Sequence, residues 1–81
     1  MKNVEFIGEV YNLGWAYNEA LHKALLKHFD VFADMRCDRI SDNKNHLTVR
    51  TRSRKRFKKE EIEAIKNFVI GWNVAIELEN L

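Results

Sequence analysis

Between residues 50 and 59 the chain reads RTRSRKRFKK, seven cations in ten positions with no acid among them. Arg50, Arg52, Arg54 and Arg56 fall at every second residue. The chemistry open to such a set is anion binding, because a guanidinium presents a planar fork of donors that pairs with phosphate in bidentate fashion and also stacks on bases. Spacing decides how the set would act. In a strand, alternate side chains share one face ~6.6 to 6.8 Å apart, so the arginines would form a ladder for successive backbone phosphates. In a helix they would scatter around the axis. Lys55, Lys58 and Lys59 add charge to the same run, and Arg36 extends the patch from another strand. Phe57, set among the cations, is expected to plug the space under the second helix, with stacking on a base as its alternative role.

The charge is local. The chain holds 14 Lys and Arg against 12 Asp and Glu, a net +2. Since seven of those cations and none of the acids lie in residues 50–59, the other 71 residues carry a net −5. A basic run on a mildly acidic body is the electrostatic footprint of a protein that meets a polyanion. RNA is favoured over duplex DNA, because no segment reads as a helix-turn-helix or basic-zipper recognition helix and arginine-rich segments commonly serve RNA. Phosphate contacts of this kind are tolerant of base sequence. The alternative is a protein inhibitor or adaptor module that docks the same patch, or the region of Trp15 and Tyr17, on an acidic partner.

Other candidates for chemistry are weaker. Arg39 and His46 are separated as in some ribonucleases but span a hairpin loop rather than a helix. His22 and His28 read as polar positions of a helix, and Cys37 alternates with Met35 and Ala33 as a core thiol. Neither the histidines nor the single cysteine has zinc-ligand spacing. No catalytic residue, metal site or cofactor is expected, and the protein is read as a non-enzyme.

The elements that would position these residues follow from periodicity. Residues 3–11, NVEFIGEVY, alternate as a first strand with Val4, Phe6 and Val10 inward. From Leu13 to about His28 the apolar spacing is helical, with Asn12 as N-cap. VFADMRCDRI forms a second strand, SDNKN a hairpin turn, and HLTVRTRSR a third strand with Leu47 and Val49 inward. KKEEIEAIKNFVIGW is helical again, with Glu60 and Glu61 at the positive end of its dipole and Gly71 as C-terminal cap. VAIELENL alternates as a fourth strand.

Strand, helix, strand, strand, helix, strand is the ferredoxin-like order, so the chain is expected to be one α+β domain over residues 1–81. Its βαββαβ sandwich would have a four-stranded antiparallel sheet in the order 4-1-3-2, with two helices on one face. By parity the uncovered face carries Glu5, Ile7, Glu9 and Tyr11; Asp34, Arg36 and Asp38; Thr48, Arg50, Arg52 and Arg54; and Glu77 and Glu79. Arg50 and Arg52 can pair across strands with Glu5, Glu9, Asp34 or Asp38, whereas Arg54, Lys55, Arg56, Lys58 and Lys59 outrun the neighbouring acids. At 81 residues a single core gives little margin, so a homodimer is expected. With no long apolar run, the protein is expected in the cytoplasm.

The inferred topology resembles that of RNA-recognition-motif domains, whose open sheet stacks bases on aromatics of the first and third strands. HLTVRTRSR contains no such aromatic and only Tyr11 and Ile7 stand on the first strand's exposed side, so phosphate contacts rather than stacking are expected. The topology is also similar to that of the CRISPR-associated dimeric nucleases, but the first strand lacks an aspartate at its end. Acylphosphatase-like enzymes place an arginine in the loop that here reads YNLGWAYN, which has none. In build the chain is short, rich in Lys, Asn and Ile, without proline, and carries a basic patch. It thereby resembles small phage-encoded RNA-binding toxin inhibitors. That resemblance implies RNA-dependent inhibition of a host ribonuclease toxin or defence system, in the host cytoplasm.

Overall fold

A computed structural model describes residues 2–37 and 43–79. Alternation produces three strands, β1 (Val4–Tyr11), β2 (Val31–Cys37) and β3 (Lys44–Thr51). Helical spacing produces α1 (Trp15–Phe29) and α2 (Lys59–Glu79). The fold is α+β, with β3 at the centre of an antiparallel sheet in the order β1-β3-β2. For these three strands the order matches the expected one.

Asn45, Leu47, Val49 and Thr51 of β3 are buried, while His46 and Arg50 between them are exposed. One sheet face is therefore covered. Leu21 and Leu25 of α1, and Ile62, Ile65 and Val69 of α2, close over it together with Ile7, Val10 and Val31. Phe57, expected as a plug beneath α2, belongs to this core at 3% exposure.

Four expectations are corrected. The fourth strand is absent among the described residues, because residues 74–79 continue α2. Trp72 and Ile76 extend the stripe begun by Ile62, Ile65 and Val69, and a helical stripe already under way outweighs a short alternation. Gly71 thus lies inside the helix instead of capping it.

Second, β1 is read in the wrong phase up to its middle, while beyond it Val10 is inward as expected. A bulge between Phe6 and Gly8 shifts the register, so that Val4 faces Arg50 and Phe6 faces Thr48, whereas Gly8 faces Leu47 and Val10 faces Asn45. Gly8 has φ +148, a conformation that favours glycine and permits the extra residue. Val4 and Phe6 consequently stand on the open face at 42% and 54% exposure, while Ile7 is buried. Glu5, opposite Val49, is on the covered side.

Third, α1 begins at Trp15 behind Gly14 (φ 107), and Asn12 Oδ1 accepts from the Gly14 N–H at 3.3 Å without capping the helix. Fourth, Cys37 is exposed at the end of β2, where the sheet edge leaves it outside the core. Asp38, Arg39 and the first two residues of SDNKN lie outside the described residues, and Lys44 and Asn45, expected in the turn, already belong to β3.

Helix side chains meet both outer edges of the sheet. At β1, where a fourth strand would pair, the Tyr11 N–H donates to Asn73 Oδ1 at 3.2 Å and Asn73 Nδ2 donates to the Glu9 carbonyl at 2.9 Å. At β2 the Ala33 N–H donates to His22 Nδ1 at 3.3 Å. An unpaired strand edge is open to aggregation, and these contacts occupy part of it. The histidine read as a polar helix position therefore serves the sheet.

Candidate nucleic-acid interface

β3 ends at Thr51, so the alternating arginines do not form a ladder on one strand. Arg50 alone of the four is in the strand; Arg52, Arg54, Lys55, Arg56 and Lys58 follow in a loop, and Lys59 opens α2. A turn breaks the strand. The Thr51 hydroxyl donates to the Lys55 carbonyl at 2.7 Å, and Arg54 adopts a left-handed backbone with φ 64. Non-glycine residues take that conformation at a cost of roughly 1–2 kcal/mol.

The backbone of this loop is tied down at several points. The Arg52 N–H donates to the Asp30 carbonyl at 3.1 Å, the Arg54 N–H to the Thr51 carbonyl at 3.4 Å, and the Phe57 N–H to the Lys2 carbonyl at 3.1 Å. The buried ring of Phe57 anchors the middle. At the helix entrance the Lys58 N–H donates to Glu61 Oε1 at 3.2 Å, half of a capping box. Lys2, brought beside Phe57, is a further exposed cation that periodicity did not assign to the site.

The cationic side chains point outward. Arg52, Arg54, Lys55, Arg56, Lys58 and Lys59 are all exposed. Arg52 Nη1 lies 3.6 Å from Asp30 Oδ1, with both side chains more than 60% exposed, a pair worth ~0–1 kcal/mol. Among the described residues the other five make no ion pair. Asp30, not the strand acids, is thus the partner of Arg52.

Arg50 is placed differently from the expected cross-strand pairing. Its guanidinium carbon lies 4.9 Å from the centroid of the Phe32 ring, the neighbour directly opposite on β2. Arg36 Nε pairs with Asp34 Oδ2 at 3.2 Å on the same face, toward the other end of β2 from the loop. The structure therefore gathers the loop cations with Lys2 and Arg50, and leaves Arg36 apart from them.

The open sheet face carries aromatics that the sequence reading did not assign to it. Phe6 meets His46 edge-on with centroids 5.8 Å apart. Phe32 is flanked by Arg50 and, around the sheet edge, by His22 with centroids 6.4 Å apart. Between Val4, Phe32, Thr48 and Arg50 is a shallow depression of about 240 Å³, whose rim includes Asp34. Two signals pointed here. An isolated glycine within a strand marks a bulge, and the inward phase of Val31 and Ala33 places Phe32 outward.

Farther from the loop cations, Tyr11, whose ring has Lys44 Nζ 5.2 Å from its centroid, donates its hydroxyl to Glu77 Oε1 at 2.9 Å, and this hydrogen bond to a carboxylate raises the phenol above its ordinary value. A separate apolar groove of about 320 Å³ runs between the helices, lined by Ala16, Tyr17, Ala20, Trp72, Ala75, Ile76 and Glu79. Trp15 beside it is 79% exposed. No described helix is long and apolar enough to cross a membrane.

Comparison with protein-family models, curated proteins and solved structures returns no match.

Proposed function

We propose that the protein is a non-enzymatic RNA-binding protein of the cytoplasm that holds phosphates with Arg52, Arg54, Lys55, Arg56, Lys58 and Lys59, assisted by Lys2 and Arg50. The observation that carries this reading is a cluster of exposed cations on a backbone-anchored loop, five of them without an ion pair among the described residues. Buried Phe57 and the hydrogen-bonded turn fix the loop backbone before any ligand arrives, which lowers the ordering cost of binding. Arginines at the loop suit phosphate forks, and lysines add charge without demanding geometry. Affinity of this kind rests on counterion release and falls steeply with salt. On this reading the architecture is ferredoxin-like, with Asn73 standing at the sheet edge where a fourth strand would pair.

An RNA gel shift with a chain carrying Arg52→Glu, Arg54→Glu and Arg56→Glu tests the proposal. Retarded RNA with the native chain, and loss of retardation with a folded variant, is the expected result. A folded variant that shifts RNA as the native chain does sinks it.

The expected homodimer is part of the same proposal, and its contact is placed on the outer face of α2. There Ile70, Val74 and Leu78 are 60%, 45% and 69% exposed, one helical turn apart. Gly71 lies among them with nothing within 4 Å of an added Cβ. A glycine inside a helix costs about 1 kcal/mol relative to alanine, and packing within one chain gives no reason for it. An antiparallel second copy crossing near Gly71 would set Val74 and Leu78 against Asn67 and Ala64, and bring Lys66 toward Glu77. Sedimentation of the native chain as a dimer, and of Val74→Arg as a folded monomer, is expected. A native chain that sediments as a monomer at micromolar concentration rules the contact out.

A further inference from the structure

The basic loop accounts for phosphate but leaves the open face of the sheet without a role. A sheet face with no helix over it carries Phe6 at 54% exposure and Val4 at 42%, with Phe32 beside Arg50. A buried ring would be packing; Phe6 is instead held up to solvent, with Val4, by a glycine bulge, and half-buried Phe32 stands across the central strand from them. Lys44 and Arg50 lie on its central strand with Glu9 and Asp34 beside them on the outer strands, and Arg50 joins the face directly to the basic loop at Thr51.

We infer that this face is a platform for unpaired nucleobases, with Phe32 and Arg50 as one stacking position and Phe6 as the next, and that it makes the protein selective for single-stranded RNA. The inference rests on the RNA-binding reading and names the form of RNA. Its geometry favours that occupant over an acidic protein surface. Arg50 lies against the Phe32 ring instead of a carboxylate, so a flat π-system can be taken up on the outer plane of the guanidinium with the ring behind it. The depression bounded by Val4, Phe32, Thr48 and Arg50 opens on the same face, about 240 Å³ in volume. Arg50 then stands between base and backbone, as the last strand cation before the phosphate-binding loop.

Duplex RNA cannot use this platform, since its bases are stacked within the helix and its deep major groove excludes side chains. It would meet only the loop. The two regions therefore predict different ligands. Loop cations hold any RNA, and the face adds affinity only where bases are free to leave the stack.

Fluorescence anisotropy with a short labelled single-stranded RNA, and with the duplex of the same sequence, separates these contributions. Phe6→Ala is the cleaner probe, because the exposed ring meets His46 on the surface, and melting by circular dichroism checks its fold. Phe32→Ala is the second probe. Each is expected to weaken single-strand binding by roughly five- to 150-fold while leaving duplex binding unchanged. If both folded variants bind the single strand as the native chain does, while the loop charge reversals abolish binding, the platform is wrong and the RNA-binding reading stands. Equal loss on single strand and duplex also overturns the platform. Loop reversals without effect on either ligand overturn the reading beneath it.

Discussion

The loop from Arg52 to Lys59 is fixed through its backbone and leaves its charges loose, whereas the open face fixes the side chains themselves. On the loop, the N–H groups of Arg52, Arg54, Phe57 and Lys58, the Thr51 hydroxyl and one buried ring hold the path, and the cations extend into solvent. On the face, register sets each residue against a named neighbour, Phe6 against Thr48 and Phe32 against Arg50. On the proposed RNA-binding reading, the difference would separate two components of binding. Unpaired charges would supply affinity that neither knows nor needs the base, while rings set by the strand register would supply geometry with little charge.

Salt titration breaks this comparison most directly, and it carries the largest expected effect. For single strands the logarithm of affinity falls with the logarithm of salt by ~0.7 for each phosphate neutralised. Arg54→Ala with Arg56→Ala should therefore flatten the slope by about 1.4 if each arginine holds one phosphate. Phe6→Ala should lower affinity at every salt concentration with the slope unchanged. A Phe6 variant that changes the slope, or an arginine pair that does not, would show that the regions are not divided as described.

A smaller effect tests whether the face depends on the edge that frames it. Asn73 makes two hydrogen bonds along β1, to the Tyr11 N–H and the Glu9 carbonyl. Asn73→Ala leaves both backbone groups without that partner and should cost about 1–3 kcal/mol in urea unfolding. Affinity of the folded fraction should hold. A loss below ~0.5 kcal/mol would mean that water replaces the amide without penalty.

What the sequence made legible follows the length and phase of each pattern. Leu47 and Val49 alternate without interruption, so the phase of β3 was readable and so was the exposure of Arg50. In β1 the alternation spans a glycine, and one inserted residue exchanged the faces of Val4 and Phe6. The end of the chain failed for another reason. Val74, Ile76 and Leu78 alternate, but they also lie on a helix already begun, and eight residues cannot distinguish the two periods. The basic loop was legible as charge and not as shape. Nothing in RTRSRKRFKK announced that the strand would stop at Thr51, because the signal is a left-handed arginine rather than a glycine.

That arginine permits a test in which stability and binding move apart. Arg54 occupies a backbone region where glycine is unstrained, so Arg54→Gly should raise stability by up to about 1 kcal/mol, after allowing for the greater freedom of glycine in the unfolded chain. The same change should reduce the salt slope by about 0.7. Gain of stability with loss of binding would identify the loop as strained for its ligand; a variant that loses both would place Arg54 among the residues that hold the fold.

The smallest effect concerns the end of β1 away from the loop. The Tyr11 phenol donates to Glu77 at 2.9 Å, and that bond, with the nearby negative charge, holds its titration above the ordinary 10. A folded-state value above the unfolded one means that the contact stabilises the protein below pH ~10 and is lost as the pH rises through the folded value. In a Tyr17→Phe background, so that one phenol titrates, the ultraviolet midpoint of the native contact should lie above that of Glu77→Ala. The alkaline unfolding limb should shift in the same sense. Binding of RNA at neutral pH should be indifferent to Glu77→Ala, because Tyr11 is not beside the basic loop. An equal midpoint in the two chains would mean that the hydroxyl turns to water rather than to the helix, and that Asn73, with the core packing of Val10, ties α2 to this end of the sheet.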